Sequence, residues 1–505
     1  MSESGSGGQQ VRAEGICAVG QPQGLQALPR SGLGALVLVD RVEVGVARHR
    51  QVVGHCAFDG DGVGGHDGTF RAGGVTRRTA SSAIKVAQPK ADTPRGPFRD
   101  VTHGATQVPD DHYASRMGAF TGVDYFDMDS LLTGEERLVR DTVRAFVDSE
   151  VMPIIELANR EGRFPREVVP GLAELGLLGA NLTGYGLPGL GAVAYGLVMQ
   201  ELERGDSALR SFVSVQGALT MYAIHRFGSD EQKERWLPPL GRGEAIGCFG
   251  LTEPDFGSNP GGMLTRATRD GDDWIVSGTK RWITSGSIAD VAVVWARVDD
   301  GIGGFLVERG TPGFTASDMP GKWSLRASVT SELYLADVRL PNAARLPLAV
   351  GLKSPLACLT QARYGISWGV IGAAMACYDT ALQYATTRVQ FDRPIAGYQL
   401  VQAKLAEMVT GITTSQLLAL QLGRLKDRGE MRPQQVSMAK RHNVAHALWT
   451  ARAARDVLGA NGVVDEYPVF RHMANLESVI TYEGTHDIHT LILGHDVTGL
   501  AAYSG

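Results

Sequence analysis

One carboxylate in the sequence stands where a general base could be held firmly. Glu483 directly precedes Gly484 and Thr485, and Thr485 is a credible N-cap for the last helix of the chain. A carboxylate on a tight turn between packed helices has the fixed placement that a general base needs. The same spacing suits a carboxylate that only complements the positive end of a helix, and from spacing alone this second interpretation is the stronger one.

A second pair of residues could bind an anion. Arg210 and Ser214 are one helical turn apart, so they face the same way in a helix. An arginine fork beside a hydroxyl group is suited to clamp a carboxylate. The alternative is a surface arginine without a partner. Asp206 is not available as that partner if it caps the same helix, because its side chain is then occupied by backbone amides.

Two polar runs of small residues lie at the ends of apparent strands, the second about thirty residues after the first. Side chains from both runs could line a pocket for a planar ligand, but two ordinary β-turns would look the same. The candidate lining residues are Thr252, Ser258, Trp282 and Thr284.

Two pairs of histidines raise the question of a metal site. His442 and His446 could share one face of a helix, and His486 and His489 are similarly close in sequence. Neither pair is completed by the carboxylate or cysteine that would make up a set of metal ligands. We therefore expect solvated or core histidines and no metal.

The composition limits the class of protein. The chain has 505 residues, a formal net charge of −5 and five scattered cysteines, so nucleic-acid binding and a disulfide framework are not expected. The longest uncharged apolar stretch, 365–378, is shorter than the ~20 residues that a membrane-spanning helix needs. Met1 leads into serine and glycine rather than into a signal peptide. We expect a cytoplasmic protein without membrane insertion.

The sequence divides into four parts of different character. A glycine-rich leader of low order comes first, and Met117 is expected to be the working start of the protein. A helical domain, a small β domain and a helical bundle follow. The expected bounds are 1–120 for the leader, 121–246 and 247–350 for the next two parts, and 351–505 for the bundle.

Capping signals predict several helix ends. Thr133 and Glu136 form a capping box that opens a helix, which Pro153 is expected to end. Asp206 is expected to cap one continuous helix over 207–227. The strongest helical patterns of the last part are 365–389, 398–426, 433–458 and 485–500, which suggest a bundle.

The order of helical, β and helical parts, together with four short runs, resembles the acyl-CoA dehydrogenase family. The resemblance covers roughly residues 125–505, and it is specific because all features occur in the right order. It implies an α+β fold with an N-terminal helical domain, a middle β domain and a C-terminal four-helix bundle. The four runs are 250–258, 282–284, 388–391 and 482–485. Further runs, among them 201–216, 362–369 and 481–489, resemble the branch of the family that oxidises glutaryl-CoA.

The resemblance assigns roles to the residues around the acyl chain. Glu483 matches the base that removes the α-proton of the thioester, while the β-hydride passes to FAD. Arg210 and Ser214 match the residues that hold the distal carboxylate of a dicarboxylic substrate. Glu203 matches a carboxylate linked to that site, and Tyr482 a residue beside the base.

The resemblance also implies the cofactor and the partners. Matches to flavin contacts are Thr252, Ser258, Trp282, Thr284 and Thr485, and matches to residues that reach the flavin of a neighbouring subunit are Arg388, Gln390 and Phe391. The latter imply a homotetramer, and the family implies an electron-transfer flavoprotein as acceptor. Lysine and tryptophan degradation is the usual setting of the branch.

The sequence departs from the family at three positions. Asn259, Asp392 and Ala460 stand where the family usually has Asp, Gly and Gly. The first exchange is nearly isosteric, whereas the other two are expected to alter the local backbone. None of the three is the base or part of the carboxylate clamp.

The expected reaction is the FAD-dependent oxidation of glutaryl-CoA, with decarboxylation to crotonyl-CoA. A buried arginine without an anion is costly, so Arg210 in the acyl pocket disfavours plain fatty acyl chains. The alternatives are another short-chain or dicarboxyl acyl-CoA dehydrogenase, a glutaryl-CoA dehydrogenase that does not decarboxylate, and, more remotely, a flavin-free binding protein.

Overall fold

The computed structural model describes residues 120–502, so the predicted leader, but for its last residue, and the Met117 start lie outside the described residues. The first part of the described chain is helical apart from one short hairpin. Its elements are α1 (Gly134–Phe146), α2 (Met152–Glu161), α3 (Val169–Glu174), the strands β1 (Thr183–Gly184) and β2 (Leu187–Pro188), then α4 (Ala192–Gly205), α5 (Ser207–Ser214), α6 (Tyr222–Phe227) and α7 (Asp230–Gly241).

The predicted start of α1 is confirmed, but its predicted end is wrong. The Thr133 hydroxyl accepts from the Glu136 amide and the Glu136 carboxylate accepts from the Thr133 amide, which completes the capping box. Beyond α1 the chain continues through one π turn, Val147–Val151, into α2. Pro153 lies in the first turn of α2, directly after the π turn, and does not end the helical run.

Asp206 caps α5 as predicted, since its carboxylate accepts from the Ala208 amide over 2.7 Å. The continuous helix expected over 207–227 is instead divided, because a π turn at Val215–Met221 separates α5 from α6. A π turn adds a residue to the helical repeat, so the side chains on its two sides do not share one straight face. The residues that could form the carboxylate clamp all precede this turn.

The middle part is a twisted sheet of seven strands. The strands are β3 (Gly247–Gly250), β4 (Arg266–Asp270), β5 (Asp273–Thr284), β6 (Val291–Val298), β7 (Gly301–Glu308), β8 (Phe314–Asp318) and β9 (Thr330–Pro341). The strand order is β3-β6-β4-β5-β9-β8, and β7 pairs with β6. Trp295 and Phe305 are fully buried in its core. The register of β5 against β9 shifts between Lys280 and Ile283.

The last part is helical again. Its elements are α8 (Lys353–Thr387), the short strands β10 (Val389–Gln390) and β11 (Arg393–Pro394), then α9 (Gln399–Asp427), α10 (Pro433–Val457), α11 (Val469–Val479) and α12 (His486–Thr498). The helical–β–helical order confirms the predicted α+β class. Two expectations fail here: α8 begins twelve residues before position 365, with Pro355 in its first turn, and α11 was not expected.

Glycines let α8 approach the N-terminal helices closely. A Cβ added at Gly372 would lie 1.9 Å from the Gln200 carbonyl oxygen on α4, so only glycine fits there. This contact joins the helix that carries Arg363 to the helix that carries Glu203. Within residues 120–502, no helix is long and apolar enough to cross a membrane.

Candidate active site

Glu483 lies on a left-handed turn between α11 and α12. Its φ is 53° and that of Gly484 is 92°, a conformation that favours glycine. Thr485 caps α12, because its hydroxyl accepts from the Ile488 amide over 3.2 Å. The predicted tight turn at a helix entrance is therefore present.

Two cations from different helices bind the backbone of this turn. The Lys440 ammonium on α10 donates to the Tyr482 carbonyl over 2.5 Å and to the Gly484 carbonyl over 2.6 Å. The Arg363 Nε atom on α8 donates to the Glu483 carbonyl over 2.7 Å. Three successive carbonyl oxygens thus accept hydrogen bonds from charged donors, which are stronger than neutral ones.

The Glu483 carboxyl group is held in an unusual electrostatic environment. Its Oε2 atom is buried and has no hydrogen-bond partner among the described residues. Burial raises the pKa of Glu483, and the positive charges of Arg210, Lys440 and Arg363 act against that shift. A raised pKa together with an unpartnered acceptor atom is typical of a group that takes up a proton.

Arg210 on α5 is fully buried and its hydrogen bonds are incomplete. Its Nε atom donates to Glu203 Oε2 over 2.6 Å, and Nη2 donates to the Tyr482 hydroxyl. Within residues 120–502, Arg210 Nη1, Glu203 Oε1 and Ser214 Oγ are buried without a hydrogen-bond partner. A buried, unpartnered N–H of a guanidinium group beside a free hydroxyl group is arranged to receive an anionic ligand.

A glycine of α8 lies directly against the residues that could form the carboxylate clamp. A Cβ added at Gly369 would lie 2.1 Å from Glu203 Oε2 and 3.2 Å from Arg210 Cδ. The Glu203–Arg210 ion pair therefore fills the space that any larger side chain at this position would need. The sequence analysis gave no sign of this role.

One asparagine connects the clamp to the β region. The Asn475 side chain on α11 donates to the Asp206 carboxylate over 2.9 Å and accepts from the Leu325 amide over 2.8 Å. Asp206 caps the helix of Arg210, while Leu325 belongs to the segment that leads into β9. The Asn475 side chain therefore joins three elements: α5, which carries Arg210, the segment that leads into β9, and α11, which leads to Glu483.

Two of the four residues that could line a pocket for a planar ligand, Thr252 and Trp282, lie close together. The Arg281 amide donates to the Thr252 carbonyl over 2.8 Å, which places Thr252 beside the residue preceding Trp282. The Lys280 ammonium, buried with its partner Glu253 at 2.8 Å, fixes the same loop. Trp282 has a φ of 64° and is 57% exposed, and the Arg281 guanidinium lies 5.5 Å from the centroid of its ring.

The other predicted cofactor residues are placed differently. Thr284 is half-buried at the end of β5 and pairs with Thr330, whereas Ser258 is exposed in the loop after β3. Thr485 caps a helix, a structural role that does not depend on a cofactor. Arg388, Gln390 and Phe391 are exposed around β10, and no contact joins them to the turn of Glu483 among the described residues.

The backbone at one of the predicted departures is unusual. Phe391 and Asp392 have φ values of 52° and 64°, so both adopt the left-handed conformation. A glycine would adopt it without strain, and aspartate is among the residues that tolerate it. Asp392 thus has the backbone conformation that a glycine would favour at this position.

Three further residues of the site were missed. Lys440 and Arg363 hold the turn, and the fully buried Tyr195 has an unpartnered hydroxyl oxygen within the described chain. Burial raises the pKa of Tyr195, and the charges of Arg210 and Glu483 both act on it. No sequence pattern singled out Lys440, because the buried face of α10 around it also carries the polar residues Ser437 and Asn443.

The two histidine pairs lie on α10 and at the start of α12. The part of the chain that the structure describes contains no group of three or more potential metal ligands. His446 packs against Gly411 so closely that a Cβ there would lie 1.6 Å from His446 Nε2. His489 is fully buried, and burial lowers its pKa to about 3, so it is neutral.

Comparison with known proteins identifies the class. Three family models match in order: "Acyl-CoA dehydrogenase, N-terminal domain" at residues 133–244, "middle domain" at 248–338 and "C-terminal domain" at 350–498. The chain belongs to the acyl-CoA dehydrogenase family. It is therefore an oxidoreductase that acts on acyl-CoA thioesters.

Solved structures are similar over nearly their whole length. A glutaryl-CoA dehydrogenase from Mycobacterium smegmatis is 60% identical with a TM-score of 0.74, over 74% of this chain and 97% of that one. A second structure from the same organism, described as a glutaryl-CoA dehydrogenase in complex with FADH2, is 53% identical with a TM-score of 0.75, over 76% and 100%. The predicted resemblance to this branch of the family is confirmed.

A curated relative carries a different name. The mitochondrial short-chain specific acyl-CoA dehydrogenase of Bos taurus is 36% identical over 370 residues, which cover 71% of this chain and 89% of the relative. The two sets of relatives agree on the family and differ in the acyl group that their names state.

Proposed function

We propose that the protein oxidises glutaryl-CoA between its α and β carbons. The observation that carries this proposal is the buried Arg210, whose Nη1 atom has no partner among the described residues although Glu203 occupies Nε. A plain fatty acyl chain would leave this N–H and the Ser214 hydroxyl unsatisfied. The distal carboxylate of a dicarboxylic acyl group satisfies both.

Glu483 is the base in this proposal. It takes the α-proton, while FAD, when bound, accepts the β-hydride. The left-handed turn and its two cations keep the carboxylate in one place, which proton transfer from carbon requires. Burial raises the pKa of Glu483, which makes the carboxylate a stronger base than an exposed one.

The cofactor is FAD, and the residues of this chain fit a planar ring system. Trp282 is exposed on a left-handed backbone, and the preceding residue, Arg281, binds the Thr252 carbonyl. Thr284 ends β5, Ser258 lies in the loop after β3, and Thr485 lies at the N-terminus of α12, which favours negative charge. The related structure described with FADH2 supports the assignment.

Decarboxylation follows oxidation in this proposal. The glutaconyl thioester loses CO₂ from its distal carboxylate, and the protonated Glu483 returns its proton to the γ carbon, which gives crotonyl-CoA. A non-decarboxylating enzyme would share the same clamp and base. A short-chain dehydrogenase is the second candidate, since the curated relative bears that name.

The proposed assembly is a homotetramer that passes electrons to an electron-transfer flavoprotein. Phe391 is 89% exposed on the connection between α8 and α9, and Arg388 and Gln390 are exposed beside it. In this assembly the three residues reach the flavin of the neighbouring subunit. Degradation of lysine and tryptophan is the proposed setting.

A panel of glutaryl-CoA, butyryl-CoA and octanoyl-CoA tests the substrate. The proposal predicts that glutaryl-CoA has the highest kcat/KM and that crotonyl-CoA accumulates. Preference for butyryl-CoA would establish the second candidate instead, and accumulation of glutaconyl-CoA would remove the decarboxylation step.

A further inference from the structure

We propose that Lys440 is a positioning residue for the proton-abstraction step: its ammonium group holds the backbone turn that aims the Glu483 carboxylate at the substrate. This proposal rests on the proposed function, in which Glu483 is the base. Lys440 does not touch the reacting carbons, and it acts through the backbone on both sides of Glu483.

The geometry around Lys440 is specific to this turn. Lys440 comes from the middle of α10, is 2% exposed, and donates to the carbonyls of Tyr482 at 2.5 Å and Gly484 at 2.6 Å. These two carbonyls bracket Glu483. The third carbonyl, that of Glu483 itself, accepts from Arg363 on another helix. The main chain of the base is thus fixed from two sides.

The turn needs such support because it is strained. Glu483 has a φ of 53° although it is not glycine, and a backbone in this region persists only where the surroundings determine it. Without Lys440, a relaxed turn would swing the carboxylate away, since side-chain direction follows the backbone. Small displacements of a catalytic group reduce the rate strongly.

Lys440 also contributes charge to the base. The groups that face Glu483 come from every packed element: Tyr195 on α4, Arg210 on α5, Arg363 on α8, Lys440 on α10, His489 on α12 and Tyr482 on the turn itself. Arg210 already pairs with Glu203, and His489 is neutral. Arg210, Lys440 and Arg363 are thus the cations of this set that stabilise the ionised base, and Lys440 and Arg363 are the two of them that have no carboxylate of their own as partner. Burial lowers the pKa of Lys440, and the Glu483 carboxylate opposes that shift.

The two contributions give separable effects. Loss of the hydrogen bonds loosens the turn and lowers kcat, with little effect on KM because no substrate contact is removed. Loss of the positive charge raises the pKa of Glu483, so the acidic limb of the pH profile of kcat moves to higher pH. A lysine that only stabilised the fold would change neither the profile nor the ratio of kcat to KM.

Three variants test the proposal on the FAD-loaded enzyme. K440M removes the hydrogen bonds and the charge, whereas K440Q keeps a neutral donor. K426M is the control, because Lys426 is a half-buried lysine whose ammonium lies 4.7 Å from the centroid of the Tyr364 ring, away from the turn of Glu483. We expect K440M to lower kcat roughly tenfold to a hundredfold, the range for a lost hydrogen bond to a charged group. We expect its acidic limb to move up by roughly one pH unit.

The pattern across the variants decides the outcome. K440Q is expected to retain more of kcat than K440M but to show the same shift of the acidic limb, and K426M is expected to match the wild type. Wild-type kcat and pH profile in both Lys440 variants would overturn the proposal. Equal losses in K426M and K440M, without a shift of the limb, would also overturn it.

A second measurement isolates the proton step. An acyl-CoA with sulfur in place of its β carbon cannot give up a hydride but can lose its α-proton, so α-deuterium uptake from D₂O reports on Glu483 alone. We expect slower exchange in K440M and K440Q than in the wild type, and unchanged exchange would refute the role.

If K440M does not retain FAD, K440Q is tested instead by the pH profile of kcat and by the rate of α-deuterium uptake. The comparison uses whichever acyl-CoA reduces the wild-type flavin, so failure of the glutaryl-CoA proposal would be seen separately.

Discussion

Arg210 and Glu203 form a fully buried ion pair with an Nε–Oε2 distance of 2.6 Å, in which each partner keeps one polar atom unpartnered within the described chain. Buried ion pairs compensate their desolvation only when their remaining hydrogen bonds are also satisfied. Arg210 Nη1 and Ser214 Oγ are therefore free to bind a ligand. In the proposed function that ligand is the distal carboxylate of the acyl group, which a plain acyl chain lacks.

The clamp is tested by removing both members of the pair. Arg210→Met alone leaves Glu203 as an unpaired buried charge, which costs about 3–5 kcal/mol of stability, so it is combined with Glu203→Gln. We expect the double variant to lose roughly tenfold to a hundredfold in the ratio of kcat/KM for glutaryl-CoA to that for butyryl-CoA. An equal loss with both substrates would reject the clamp.

The base is tested by Glu483→Gln. Glutamine has nearly the same shape and can occupy the same turn, but its amide does not take up the α-proton. We expect flavin content and thermal stability close to the wild type and no measurable flavin reduction by any acyl-CoA. Turnover near the wild-type rate would place the base elsewhere.

The space beside the clamp is tested by Gly369→Ala. The added methyl group would meet Glu203 Oε2, so the ion pair has to move and the glutaryl-CoA preference is expected to fall. Gly494→Ala is the control, because a Cβ at Gly494 in α12 meets nothing within 4 Å. A helical glycine replaced by alanine in open space gains about 0.4–1 kcal/mol of stability. Unchanged substrate preference in Gly369→Ala would contradict this role.

The pH dependence follows from the environment of Glu483. Only the ionised carboxylate abstracts a proton, so kcat is present above its pKa and lost as the pH falls through it. Burial raises this pKa above its ordinary value of 4.5. We therefore expect an acidic limb above that value in the wild type, measured as flavin reduction at saturating substrate. A limb at or below 4.5 would mean that burial does not outweigh the charges of Arg210, Lys440 and Arg363.

Much of the local structure could be predicted from caps. Thr133, Asp206 and Thr485 each begin a helix where their side chains satisfy free backbone amides. The divided helices could not be predicted in the same way. The π turns at Val147–Val151 and Val215–Met221 depend on packing between helices, and no residue type marks them.

Some residues of the candidate site could be predicted from the sequence, but their arrangement in space could not. Glu483 and Arg210 were identified from spacing and resemblance, and spacing alone favoured a merely structural Glu483. Lys440 is 43 positions before Glu483 in the sequence, and Gly369 is 159 positions after Arg210. Their contacts exist only because α8 and α10 pack against the other helices, which no local pattern encodes.

The most direct test is anaerobic mixing of the FAD-loaded protein with glutaryl-CoA, followed by identification of the acyl product. We expect the flavin absorbance to bleach within seconds of mixing. We also expect glutaryl-CoA to be preferred over butyryl-CoA and the product to be crotonyl-CoA. A flavin that stays oxidised with glutaryl-CoA but is reduced by butyryl-CoA would contradict these expectations.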